Sequence, residues 1–195
     1  MLRRSISVGA FVLGPILIGF AVVSDTFIQV VLTEKWLPVS PYIKIFCIAL
    51  LTRPLESTCH QALLAIGRGD TVLRIILRIN IFAFLTLLIA TFIFQSVLLV
   101  AVGSLLATII SIGGFMGYAN KLIGYRPKEQ MQDIAPALLL SVIMGIGVYS
   151  IGLFNIQPIL LLLLQIITGI GIYVGLSYVL KVEAYRYVLG SIRKI

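Results

Sequence analysis

Long apolar runs separated by short polar turns organise this chain. Six such runs stand out, at about 5–23, 41–66, 71–94, 97–118, 134–154 and 158–180. All are longer than the ~18 residues that separate a membrane-crossing helix from a buried soluble one. The pattern predicts an all-α, polytopic membrane protein. We expect one lobe of six transmembrane helices over residues 1–195, ending in a cytoplasmic tail at 181–195.

The first run follows Arg3 and Arg4, as a signal peptide would. Its apolar stretch is longer than a typical signal core, and no small-residue cleavage site follows, so a retained helix is expected. Pro15 lies deep inside it and predicts a kink. Ser24 or Asp25 is placed to cap a short interfacial helix on the outer face. Trp36 and Tyr42 flank the polar turn Thr33-Glu34-Lys35, where amphipathic rings favour the membrane–water boundary. Ser40-Pro41 reads as a helix start, Gly67 as a helix end and Asp70-Thr71 as the next start. Short turns at Gln95-Ser96 and 155–157 pair neighbouring helices, and 120–133 reads as the single long internal loop.

Small residues at Gly113/Gly117, Gly171/Gly175 and Gly145/Gly147 mark expected close helix contacts; hinges are the alternative. Composition agrees with the pattern, at 60% apolar and 11% charged residues. Soluble domains carry about 25% charge.

A net charge of +8 would fit nucleic acid or anionic lipid, but its distribution points elsewhere. Arg3, Arg4, Arg68, Arg74, Arg78, Lys121, Arg126, Lys128, Lys181, Arg186, Arg193 and Lys194 fall on one side of the predicted helices. Lys35 falls on the other, with Lys44 and Arg53 inside a helix. This asymmetry places both termini of a multi-pass membrane protein in the cytoplasm and argues against a nucleic-acid partner. Membrane lipids are the natural surroundings. Lys44 is read as a snorkelling residue near the outer boundary. Cys47 and Cys59 lie about 18 Å apart along one helix, too far to bridge, and read as core filling.

The chemistry concentrates in the second run. Arg53, Glu56, Ser57 and His60 fall within roughly a 100° wedge of the predicted helix. Pro54 lies among them and removes the helical hydrogen bond to the Leu50 carbonyl. Ionisable groups at the centre of a membrane helix cost about 2.5–3.5 kcal/mol each on insertion scales. A polar stripe beside a proline therefore predicts a helix lining a watery cavity. The alternative is an Arg–Glu pair that neutralises itself and staples two helices together. Arg74 and Arg78 form a second, cationic stripe on the third run, an anion site or a pair of headgroup anchors. Substrate-binding candidates are thus Arg53, Glu56, His60, Arg74 and Arg78.

No phosphate-binding loop, zinc-protease or nucleophile-elbow motif occurs, and the seven acidic residues are scattered. We expect no enzyme, no catalytic residue, no metal site and no cofactor.

Several segments, read in order, resemble one family. They are 14–19 (Gly-Pro-Ile-Leu-Ile-Gly), Ser24-Asp25-x-Phe27-Ile28, Glu34-Lys35-Trp36-Leu37-Pro38, Arg53-Pro54-Leu55 and Ala65-x-Gly67-Arg68-x-Asp70. Asn120-Lys121-Leu122-Ile123-Gly124-Tyr125 continues the likeness, and only hydropathy agrees from Ile134 onward. The chain resembles the second half of bacterial polysaccharide flippases, the lipid-linked oligosaccharide exporters of the multidrug/oligosaccharidyl-lipid/polysaccharide superfamily. The resemblance implies a two-lobed transporter that flips an undecaprenyl-pyrophosphate-linked oligosaccharide by alternating access, with cationic cavity residues meeting the pyrophosphate. It also implies an amino-terminal lobe or partner subunit to complete the machine. A truncated, non-transporting remnant and a lobe of a multidrug exporter are the alternatives.

Overall fold

The computed structural model describes residues 2–154 and 156–180, so the predicted tail at 181–195 and Asn155 lie outside the described residues. Seven α-helices occupy almost all of that length: α1 (Leu2–Val31), α2 (Ser40–Leu50), α3 (Arg53–Ala65), α4 (Gly69–Leu88), α5 (Val97–Ile123), α6 (Pro127–Gly152) and α7 (Pro158–Val179). A 3₁₀ segment at Glu34–Val39 precedes α2, and a π turn at Ile89–Ile93 extends α4. The fold is all-α, and α1, α4 with its π turn, α5, α6 and α7 are each long and apolar enough to cross a membrane.

Four boundaries differ from the sequence reading. α1 does not stop near Val23 but continues to Val31, so neither Ser24 nor Asp25 caps a new helix. The reason is a partner across the bundle: Lys44 Nζ lies 2.7 Å from Asp25 Oδ2. That pair neutralises the charge of Asp25 within α1, and Lys44 is not simply snorkelling. Pro15 lies inside α1 without interrupting it. The run at 41–66 is not one helix but two, broken at Leu51-Thr52. Finally, 120–133 is not a long loop: α5 runs on to Ile123 and α6 begins at Pro127. Arg126 in extended conformation followed by proline restarts the helix, so the charged stretch is mostly helix ends.

α1 is the spine. It packs against α6 and α7 on one side and α2 and α3 on the other, while α5 leans on α2, α3 and α4. The α2–α3 pair runs antiparallel beside α1. At one end Ser24 Oγ and Ser40 Oγ are 3.1 Å apart, and farther along a Cβ on Gly9 would sit 3.0 Å from Pro54 Cβ. Buried Leu55, Cys59 and Leu63 of α3 join Ile6, Ala10 and Phe115 in the core.

The expected glycine contacts divide. A Cβ on Gly145 would meet Ile18 Cγ2 at 2.8 Å, and one on Gly147 would meet Ile172 Cδ1 at 2.6 Å. Here α6 approaches α1 and α7 closely, as expected. Gly113, Gly117, Gly171 and Gly175 have nothing within 4 Å, so these two pairs do not serve packing among the described residues.

α3 ends in a Schellman turn. Gly67 takes φ +75°, Arg68 N–H donates to the Leu63 carbonyl at 3.0 Å and Gly67 N–H to the Leu64 carbonyl at 2.9 Å. An L-residue is strained there, so Gly67→Ala is expected to destabilise by about 1–2 kcal/mol. Gly67→Asn should cost less, because Asn tolerates this conformation. Thermal unfolding of both variants in detergent checks the order.

At the Leu2 end a polar cluster ties three segments together. Arg3 donates from Nε and Nη2 to the two carboxylate oxygens of Asp133 at 2.8 and 3.0 Å. Tyr125 Oη donates to Asp133 Oδ2 at 2.6 Å, and Ser7 Oγ to the Asp133 carbonyl at 3.0 Å. Burial, together with the neighbouring Asp133 carboxylate, pushes the Tyr125 phenol well above its usual range. Gln130, fully buried, donates from Nε2 to the Tyr125 carbonyl at 2.7 Å. Tyr125→Phe removes one hydrogen bond to a charged acceptor and should cost about 1.5 kcal/mol in the same unfolding assay. Arg3 stays on the carboxylate in that variant, so a much larger loss would mean the cluster acts as one unit.

Candidate functional site

The break between α2 and α3 creates the site. Pro54 has no N–H to offer the Leu50 carbonyl, and the chain tightens just before it, with Leu51 N–H bonded to the Ile48 carbonyl at 3.3 Å. Thr52 Oγ1 turns back onto the Ala49 carbonyl at 2.9 Å, closing the end of α2. α3 restarts when the Thr52 carbonyl accepts from Leu55 and Glu56, each at 3.1 Å. Arg53 is thereby set at the head of a new helix, roughly 20 Å along the ~39 Å path from Ser40 to Ala65. That is mid-depth for a bilayer-spanning element.

Beside this point lies a cavity of about 390 Å³ between α3, α4 and α5. Its size falls at the lower end of the ~300–1,000 Å³ range of small-ligand sites. Arg53, Glu56, Ser57 and His60 line it from α3, Ile76, Ile79 and Asn80 from α4, and Ala107, Thr108, Ser111 and Phe115 from α5. Polar groups thus face the space from all three helices, with an aromatic ring and two isoleucines between them.

Arg53 and Glu56 are neighbours but not tightly closed. Arg53 Nη1 lies 3.6 Å from Glu56 Oε2, with the guanidinium side chain 61% exposed and the carboxylate 18%. The other carboxylate oxygen, Oε1, accepts from Ser111 Oγ of α5 at 2.7 Å. The rings of His60 and Phe115 meet in a T-shaped contact, with centroids 5.8 Å apart and planes at 84°. The arrangement offers a cation with spare donors, an amide that can give or accept hydrogen bonds, hydroxyls whose oxygens can accept them, and an apolar wall.

Of the sequence candidates, Arg53, Glu56 and His60 come together in this cavity, and Ser57 joins them. Arg74 and Arg78 do not. Near 100° per residue they sit on the side of α4 opposite Ile76, Ile79 and Asn80. Arg74 Nη2 lies 2.6 Å from Asp70 Oδ2, one turn back on its own helix. Cys47 and Cys59 are both buried free thiols.

Asn80, Thr108 and Ser111 were not candidates from sequence. Each is an uncharged polar residue within a largely apolar helix, which reads as noise. The available signal was the spacing Ser104, Thr108, Ser111, which puts three hydroxyls on one stripe of α5.

Comparison with known proteins gives two matches. Residues 1–41 match the family described as "Polysaccharide biosynthesis protein". Over 61 residues the chain is 43% identical to the teichuronic acid biosynthesis protein TuaB of Bacillus subtilis (strain 168). That alignment covers 31% of this chain and 13% of TuaB, so the match spans a small part of the relative's length. No solved structure matches the chain. The family match takes in the motifs at 14–19, 24–28 and 34–38, and the Arg53 and Gly67 motifs lie beyond it.

Proposed function

We propose that this chain, kin to the polysaccharide biosynthesis proteins through residues 1–41, is part of a polysaccharide transporter. It flips undecaprenyl-pyrophosphate-linked oligosaccharide across the bacterial cytoplasmic membrane by alternating access, working with an amino-terminal lobe or partner subunit. It moves its substrate without transforming it. The kinship to TuaB, named for teichuronic acid biosynthesis, supports the substrate class.

The observation that carries the reading is the half-free Arg53 at mid-depth, 61% exposed and only loosely held by Glu56. A guanidinium left with spare donors in such a cavity favours an anion, and its fork of donors suits the oxygens of a diphosphate. Asn80, Ser57 and Thr108 around it offer hydrogen bonds of the kind a sugar hydroxyl takes. An open Arg53 also disfavours the alternative of a self-neutralised staple, in which the pair would be closed.

The test is translocation of a fluorescent polyprenyl-pyrophosphate-linked sugar in proteoliposomes, scored by its accessibility to a membrane-impermeant quencher. The protein is assayed by itself and with an added amino-terminal lobe of a related transporter. Movement above protein-free vesicles in either arrangement supports the reading, and its absence from both overturns it.

A further inference from the structure

Of four ion pairs between described residues, one is open. Arg74–Asp70, Lys44–Asp25 and Arg3–Asp133 close at 2.6, 2.7 and 2.8 Å, whereas Arg53–Glu56 stands at 3.6 Å. Arg53 and Glu56 lie three residues apart on one helix, a spacing at which such pairs ordinarily meet. What differs is the second partner of the carboxylate. Ser111 Oγ donates to Glu56 Oε1 at 2.7 Å, and Ser111 is 2% exposed on α5, so its hydroxyl is fixed from the far wall of the cavity.

That bond is unusual for its own helix. Ser104 and Thr108, the neighbouring hydroxyls of α5, turn back onto the carbonyls of Ala101 and Ser104 at 2.7 and 3.0 Å. Back-bonding is the local choice for a mid-helix serine or threonine. Ser111 instead reaches across to another helix. One turn farther along α5, Phe115 meets His60 in a T-shaped contact, so α5 grips the polar face of α3 at two successive levels.

We propose that Ser111 is a positioning residue: by holding the Glu56 carboxylate toward α5, it keeps the Arg53 guanidinium open to an anion in the cavity. With that hydroxyl removed, Glu56 Oε1 loses its donor in a site only 18% exposed, and the carboxylate turns to Arg53, already 3.6 Å from its other oxygen. The cavity then neutralises itself. This inference rests on the reading of Arg53 as an anion-binding residue, and the two fail in different ways.

The experiment modifies the full chain in proteoliposomes with phenylglyoxal and quantifies the adduct on the Arg53 peptide by mass spectrometry. Arg78, on the opposite face of α4, serves as an internal control. Inorganic pyrophosphate is the protecting anion. In the unmutated chain pyrophosphate should slow modification of Arg53 and not of Arg78. Ser111→Ala should slow Arg53 modification without anion by about threefold, the ratio expected when a partly exposed ion pair of ordinary strength closes. It should also weaken protection by pyrophosphate, while Ser111→Thr, which keeps the hydroxyl, restores both. In a Glu56→Gln background Ser111→Ala should change neither, because no carboxylate is left to swing. If pyrophosphate never protects Arg53, the anion site itself is overturned. Where protection occurs but Ser111→Ala matches the unmutated chain, or Ser111→Thr matches Ser111→Ala, the positioning role is overturned. That role is overturned as well if Ser111→Ala slows modification to the same extent in the Glu56→Gln background.

Discussion

Arg53→Ala is expected to lower the initial rate of lipid-linked sugar translocation by at least about tenfold. One charge-assisted hydrogen bond to a diphosphate is worth about 1.5–3 kcal/mol, and each ~1.4 kcal/mol is a factor of ten. Folding should be little affected. The Arg53 side chain is 61% exposed, and Glu56 keeps its hydrogen bond from Ser111 when the guanidinium is gone. Arg78→Ala, on the opposite side of α4, should leave the rate close to that of the unmutated protein. Proteoliposome rates for the two variants, with circular dichroism to show equal helix content, decide the matter. Equal losses would mean that positive charge at large, and not this cavity, drives the process.

The second large effect concerns packing. Gly145→Leu should lower stability by about 1–3 kcal/mol, the usual cost of forcing extra carbons into a filled interface. The first added carbon already meets Ile18 Cγ2 at 2.8 Å and lies 3.6 Å from Val22 Cγ2. Both neighbours are β-branched and stiff within a helix, so neither can swing aside. The gain of roughly 1 kcal/mol in helix propensity on replacing glycine does not offset this. Gly171→Leu, with nothing within 4 Å of its position, should keep that gain and be neutral or stabilising. Midpoints of thermal unfolding in one detergent give the contrast directly, and equal midpoints would remove the close approach of α1 and α6 from the account.

Hydropathy made the helices legible because each must satisfy its own backbone in lipid, so length and apolarity go together. It could not show where a helix tolerates a charge. Asp25 looked like an end because its partner, Lys44, is nineteen residues away and meets it only in the fold. The reverse error occurred at 120–133, where charged residues looked like a loop but fall mostly on the end of α5 and the first turns of α6.

The site was legible on α3, where Arg53, Glu56 and His60 share a face and proline marks the spot. It was not legible on α4 and α5. Arg74 and Arg78 drew attention by their charge, yet helix phase turns them away from the cavity. Asn80, Thr108 and Ser111, without charge, complete it. Charge is easy to see in a sequence; which way a helix is turned about its axis depends on neighbours that only the fold supplies.

The break at Leu51-Thr52 also fixes a parity. Neither α2, with 11 residues, nor α3, with 13, is long enough to cross a bilayer, so helices of sufficient length number five among the described residues. An odd number of crossings would put Leu2 and Val179 on opposite faces. Yet α2 and α3 together travel from the level of Ser24 back past Gly9 along α1, a full passage made in two pieces. Counted as one passage, the pair would make the number of crossings even and set Leu2 and Val179 on one side of a membrane.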